Sequence, residues 1–265
     1  MEQLTPAQKH WRQVMAERRG DEQTTEDMTA YEQILHRLRH DQTRLSHIQG
    51  TEFKVEYKKT ILEQYEPWID GVLSANTGQS DEVFTTLLVW QIDCENYDRA
   101  LDMADYVLAY NLPLPERYNR TPATMVIDEI CDRALTLFAA GVDKEKLIPI
   151  NVLERLSDLT KSYDVPNEVR AKLYKSLAYT LRLNDDINDK SRAVELMQSA
   201  LLLHEKVGVK RDIELLQREI KKATVKQDDA PTQEPENSEM PEPKKAAAKK
   251  TTTKKTTTTR KKAAS

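Results

Sequence analysis

Glycine, phenylalanine and cysteine are scarce in this chain, with 6 Gly, 3 Phe and 2 Cys among 265 residues. Few glycines and few β-branched runs argue against a strand-and-turn architecture and favour helices. None of the glycines stands before Lys-Ser or Lys-Thr as a phosphate-cradling loop requires, so the chain is not expected to hydrolyse ATP itself. Two cysteines cannot build a disulfide framework. Cys94 and Cys131 fall inside helical patterns and are expected to be buried thiols of a reducing compartment. No apolar run approaches the roughly 20 residues of a membrane span. No basic start, apolar stretch and small-residue cleavage site opens the chain. These absences point to the cytoplasm and to no membrane partner. What is abundant is charge: 32% of residues are Asp, Glu, Lys or Arg.

The formal net charge of -4 conceals a division. Residues 226–265 carry 10 basic and 6 acidic side chains, leaving 30 basic and 38 acidic in residues 1–225. Within the tail the signs separate again. Asp228, Asp229, Glu234, Glu236, Glu239 and Glu242 come first. Lys244, Lys245, Lys249, Lys250, Lys254, Lys255, Arg260, Lys261 and Lys262 follow, spaced by Ala and Thr with no acid among them. Such a low-complexity segment buries too little apolar surface to offset chain entropy and is predicted to be disordered. Its cations suit DNA phosphates, giving a grip that is sequence-independent and salt-sensitive. Lysine outnumbers arginine there and no aromatic occurs, which argues against base readout or base stacking. A solubilising or localisation tail is the alternative. The acidic segment 228–242 is expected to shield the cations by self-pairing when DNA is absent.

The remaining 225 residues read as helices, an all-α class. Thr5-Pro6-Ala7-Gln8 is a capping-box start, and Gly20 ends the helix it opens. Lys9, Arg12 and Arg19 form a cationic stripe away from Trp11, Val14 and Met15, a second DNA candidate beside the ordinary reading of an amphipathic helix. A long helix is predicted from about Met28 to Tyr65. Tyr31, Ile34, Leu38, Leu45, Ile48, Val55 and Leu62 repeat at a 3–4 spacing and suggest a coiled-coil or hairpin seam for self-association. Asp41, Glu52 and Lys59 interrupt that seam, Gly50 is a candidate break, and Pro67 and Gly71 mark its end. Ser80 is the expected cap of the next helix, which carries Val83, Leu87, Leu88 and Trp90. A break near Glu95-Asn96 separates it from a partner through Ala100, Leu101 and Ala104. The arrangement returns after residue 170, with Leu173, Leu177 and Ala178, a turn at Asn184-Asp185-Asp186, then Ala193, Val194 and Met197. These two tetratricopeptide-like hairpins must stack on neighbours to bury their apolar faces. The expected organisation is an N-terminal helix (1–20), a long helical oligomerisation region (21–73), a helical-hairpin core (74–225) and the acidic-then-basic tail (226–265).

No catalytic residue can be named. Acids cluster at Asp93/Glu95/Asp98/Asp102/Asp105, at Asp128/Glu129/Asp132 and at Asp185/Asp186/Asp189. A metal-dependent nuclease needs carboxylates converging on a cation, whereas acids at these helical spacings more often form a solvated face or caps. His36, His40 and His47 share one helix side, but that spacing without a further ligand is weak evidence for a metal. No cofactor is expected, and a divalent metal only under a nuclease reading.

Several ordered blocks carry a family resemblance: Thr5-Pro6-Ala7-Gln8; Tyr31-Glu32-Gln33 with Leu38 and Asp41-Gln42; Pro67-Trp68 with Gly71-Val72-Leu73; Trp90-Gln91-Ile92-Asp93; Ala100-Leu101; Arg120-Thr121-Pro122; and Glu168-Val169-Arg170-Ala171-Lys172-Leu173. Together with the Lys-rich C-terminus they resemble the small terminase subunit, or terminase endonuclease subunit, of P-two-like temperate tailed phages. The resemblance implies a protein of the bacterial host's cytoplasm that forms a homo-oligomer. It would bind double-stranded viral DNA at the cohesive-end packaging site and deliver it to a large terminase ATPase and nuclease for cleavage and capsid packaging. The family name also implies an endonuclease subunit with its own metal-dependent site, although no nuclease motif is visible. A tetratricopeptide-like scaffold with an incidental basic tail, and a histone-like compaction protein, are the competing readings from the residues.

Overall fold

The computed structural model describes residues 30–116 and 118–228. The predicted N-terminal helix with Lys9, Arg12 and Arg19, and the basic tail from Lys244 to Lys262, lie outside the described residues. Within them the class is all-α: ten helices, three short 3-10 turns and no strand.

Three helices stand where one long helix is predicted. Helix α1 spans Ala30–His47, α2 spans Thr51–Leu62 and α3 spans Glu66–Ala75. Gly50 makes the first break. Its extended backbone (φ -77, ψ 134) caps α2, and a Cβ there would stand 2.9 Å from the Phe53 ring. A 3-10 turn at Glu63–Tyr65 makes the second. Pro67 then opens α3, as proline suits a first helical turn, and Gly71 lies inside that helix, so neither residue is a terminator.

The next helix, α4 (Glu82–Asp93), is buried at every position from Val83 to Ile92. A helix apolar all round belongs at the centre of a bundle, and α1, α2, α3, α5 and α6 all pack against it. Its cap is Asp81, whose carboxylate accepts from the Phe84 N–H at 3.0 Å; Ser80, the expected cap, lies one residue outside. Helix α5 (Tyr97–Ala109) returns antiparallel after Glu95 turns the chain with a left-handed φ of 65°. Helix α6 (Pro122–Ala139) begins at the Thr121 cap, as its Thr-Pro start indicates.

Helices α7 (Ile150–Thr160), α8 (Asn167–Leu181), α9 (Ile187–Leu203) and α10 (Lys210–Asp228) complete the order. The α8/α9 hairpin turns at Asn184–Asp186, where Asp186 accepts from the Asn188 N–H. Fully buried Ala178 and Ala193 lie in this hairpin, small enough for close approach of the two helices. Around them a small second core forms with Leu181, Met197, Val209 and Leu216, joined to the main core through Ile150 and Leu196. Both predicted hairpins, α4/α5 and α8/α9, are present.

Candidate functional site

The seam assigned to self-association is largely interior. Leu38, Leu45 and Leu62 are buried in the main core; Ile34, Ile48 and Val55 pack against it, and Tyr31 stays exposed beside Trp68. Asp41, which interrupts the seam in sequence, is also buried. Its two carboxylate oxygens accept hydrogen bonds from the Tyr57 hydroxyl at 2.8 Å and the Tyr65 hydroxyl at 2.7 Å. Tyr65 is fully enclosed, and burial together with the Asp41 carboxylate pushes its hydroxyl pKa up.

With Asp41 turned inward, the outward side of α1 from residue 33 to 47 carries no exposed carboxylate. His36, Arg37, Arg39, His40, Arg44 and His47 are all exposed there. The Arg44 guanidinium lies over the Tyr57 ring at 5.5 Å. His40 approaches the edge of Asp41 at 3.7 Å.

Cations pair with several acids of the first two clusters. Asp93 pairs with Lys58, and Glu95 with Arg133 at 2.6 Å. Asp102 pairs with Arg155 at 2.5 Å. Buried Asp128 holds Arg120 at 2.5 Å and Lys172 at 2.7 Å, and Lys172 also reaches Asp132 at 2.7 Å. Burial works against the Lys172 charge, yet these two carboxylates leave its pKa raised. Among the described residues no cation is ion-paired to Glu129: partial desolvation and the nearby Asp93 and Asp132 charges push its pKa up. Asp186 caps α9 and Asp189 accepts from the Asn184 amide at 2.7 Å. Among the described residues no three His, Cys, Asp or Glu are grouped to hold one metal ion, His36, His40 and His47 included.

An apolar groove of about 460 Å³ lies between α3 and the loop before α4, lined by Tyr31, Pro67, Trp68, Val72, Ala75 and Tyr106. The Trp68 ring is fixed by its Nε1–H donating to Asp81 at 2.8 Å. Gly78, in the loop before α4, has a φ of 69°, and its N–H donates to the Tyr106 hydroxyl at 2.8 Å. A Cβ at that position would stand 2.3 Å from the Tyr110 ring, so only glycine fits.

Sequence reasoning missed the cationic side of α1. It weighed the three histidines as a metal question and the apolar repeat as a seam. The signal was the run from Gln33 to Gln49, which holds three arginines, three histidines and one acid within an acidic body.

The profile of the family "Phage small terminase subunit" matches residues 35–168. The chain is 34% identical over 243 residues to the "Terminase, endonuclease subunit" of Escherichia phage P2, covering 91% of this chain and 96% of that protein. It is 23% identical over 172 residues to the "Probable terminase, endonuclease subunit" of Haemophilus phage HP1, covering 61% and 60% respectively. No solved structure matches. No helix among the described residues is long and apolar enough to cross a membrane. The match to half of the chain and the P2 relative's near-complete span have one consequence: the chain belongs to the phage small terminase subunit family, whose role is in phage DNA packaging.

Proposed function

We propose that this chain binds double-stranded viral DNA at the cohesive-end packaging site and delivers it to the large terminase subunit in the cytoplasm of the bacterial host. The observation that carries the reading is the charge division within a terminase-family chain. Residues 30–228 hold 27 basic and 33 acidic side chains, whereas the segment from 243 onward holds nine cations and no acid. An acidic body does not attract DNA as a whole, so the cationic segment supplies the sequence-independent grip. Binding to cohesive-end and random fragments tests it: association with both, weakened steeply by salt, is expected, and absence of binding to either overturns it. The acidic segment competes with DNA for the tail cations. Deleting residues 228–242 is therefore expected to tighten binding at low salt, and an unchanged affinity removes this shielding role.

The chain also associates with itself in this reading. Phe53 at 67% exposure and Leu202 at 89% are apolar side chains open to a partner, whereas Leu38, Leu45 and Leu62 are already used internally.

A second reading follows from the names of the two relatives, a terminase endonuclease subunit and a probable one. Under it this chain cuts DNA with a divalent metal. The exposed acids Glu52, Glu56, Glu95, Glu129 and Asp132 surround one open cleft and are the carboxylates to change first. Cleavage of a cohesive-end fragment by the purified chain with magnesium or manganese, lost on those changes, favours the enzyme. Intact DNA with both metals favours the adaptor.

A further inference from the structure

We infer that the outward side of α1 is a second, ordered contact for the DNA backbone, with Arg37, Arg39 and Arg44 as its phosphate ligands. The inference rests on the DNA-binding reading but is independent of the tail. Three observations converge. The first is charge selection. Elsewhere in the body Arg99, Arg120, Arg133, Arg155, Arg182, Arg192 and Arg218 are each ion-paired to a carboxylate, and Arg170 donates to backbone carbonyls. Exposed Arg211 is the exception there, with no ion pair among the described residues. Among the described residues no ion pair joins Arg37, Arg39 or Arg44 to a carboxylate, and all three are exposed. The second is the fate of the acid within the same stretch. Asp41 is drawn into the core by the Tyr57 and Tyr65 hydroxyls, so its charge is withheld from the surface. The third is preorganisation. Leu38 and Leu45 anchor the helix in the core and the Tyr57 ring supports Arg44, so a phosphate ligand here costs little further ordering.

The dimensions fit a strand of duplex DNA. At 1.5 Å per residue, Arg37 to His47 covers roughly 15 Å. That matches the axial rise of about four phosphates on one strand at roughly 3.4 Å each. Arginine presents a planar fork of donors suited to phosphate oxygens, and His36, His40 and His47 add N–H donors along the same side. No Phe, Tyr or Trp occurs on α1 between residues 33 and 47, so the surface suits the backbone better than stacked bases.

The test uses the full-length chain, a random duplex fragment and a salt series. Replacing Arg37, Arg39 and Arg44 together by Gln is expected to reduce the slope of log affinity against log salt by about 2.7, near 0.9 for each phosphate no longer neutralised. Arg37→Gln alone, remote from the Tyr57 stack, is expected to remove about 0.9, which keeps the test open if the triple variant folds poorly. Lysine at the three positions should preserve the slope. The triple Gln change should have the same effect in a chain whose nine tail cations are also Gln. An unchanged slope in the triple and single Gln variants, with DNA still bound by the unaltered chain, overturns the α1 surface and leaves the tail reading intact. It would instead favour an acidic protein partner for this side. Absence of binding by the unaltered chain overturns both.

Discussion

Asp41 shows how one buried carboxylate organises two surfaces at once. It satisfies two tyrosine hydroxyls inside and leaves an uninterrupted cationic side outside. Asp41→Ala would strand the hydroxyl of fully enclosed Tyr65 and weaken the placement of Tyr57. We expect a loss of about 2–4 kcal/mol in chemical denaturation, the range for removing a charged acceptor from buried donors. Glu129 acts in the opposite sense. Its folded pKa is raised, so the stability it contributes is present while it is protonated and is lost as pH rises through that pKa. Glu129→Gln is therefore expected to raise Tm at pH 7, with the gain vanishing below about pH 4, near the ordinary glutamate pKa. The cysteines are free and buried, and burial pushes the Cys94 thiol up to about 11 and the Cys131 thiol up to about 12. Since the thiolate is the reactive form, a thiol-reactive dye at pH 8 should label neither in the native protein and both after denaturation.

At the scale of elements, the hairpins are held by small residues at close crossings. Ala178 of α8 and Ala193 of α9 are fully buried in the second core. Leucine at either position overpacks the hairpin and is expected to cost roughly 1–3 kcal/mol, measured as a lower denaturation midpoint. Turn chemistry made the second hairpin legible from sequence: Asn184–Asp186 turns α8 into α9. The long helix was less legible for a physical reason. A 3–4 apolar repeat reports that one side of a helix is covered, not what covers it. Leu38, Leu45 and Leu62 keep that repeat across the Gly50 break because both helices pack on the same central α4. The cationic side of α1 stayed hidden because Asp41 sits among its arginines in sequence, and its inward direction depends on Tyr57 and Tyr65, 16 and 24 residues away.

For the whole molecule, the proposed function divides the labour of holding DNA between an acidic helical body and a cationic segment. Helix α1 is already in place on the body. Such an arrangement suits a packaging subunit that has to hold DNA and then release it to another machine. Self-association belongs to the same account: light scattering at micromolar concentration is expected to give a mass above that of one chain, and a strict monomer would remove the oligomer from it.

The central claim is that charge on the tail holds duplex DNA. The most direct measurement is affinity for a random duplex across 50 to 200 mM salt, comparing the full-length chain with one whose nine tail cations are Gln. We expect the full-length affinity to fall by on the order of 10³-fold over that range, as for proteins that neutralise many phosphates. The neutralised chain should bind more weakly at low salt and respond to salt less steeply. Equal affinities and equal salt slopes for the two chains would contradict the account.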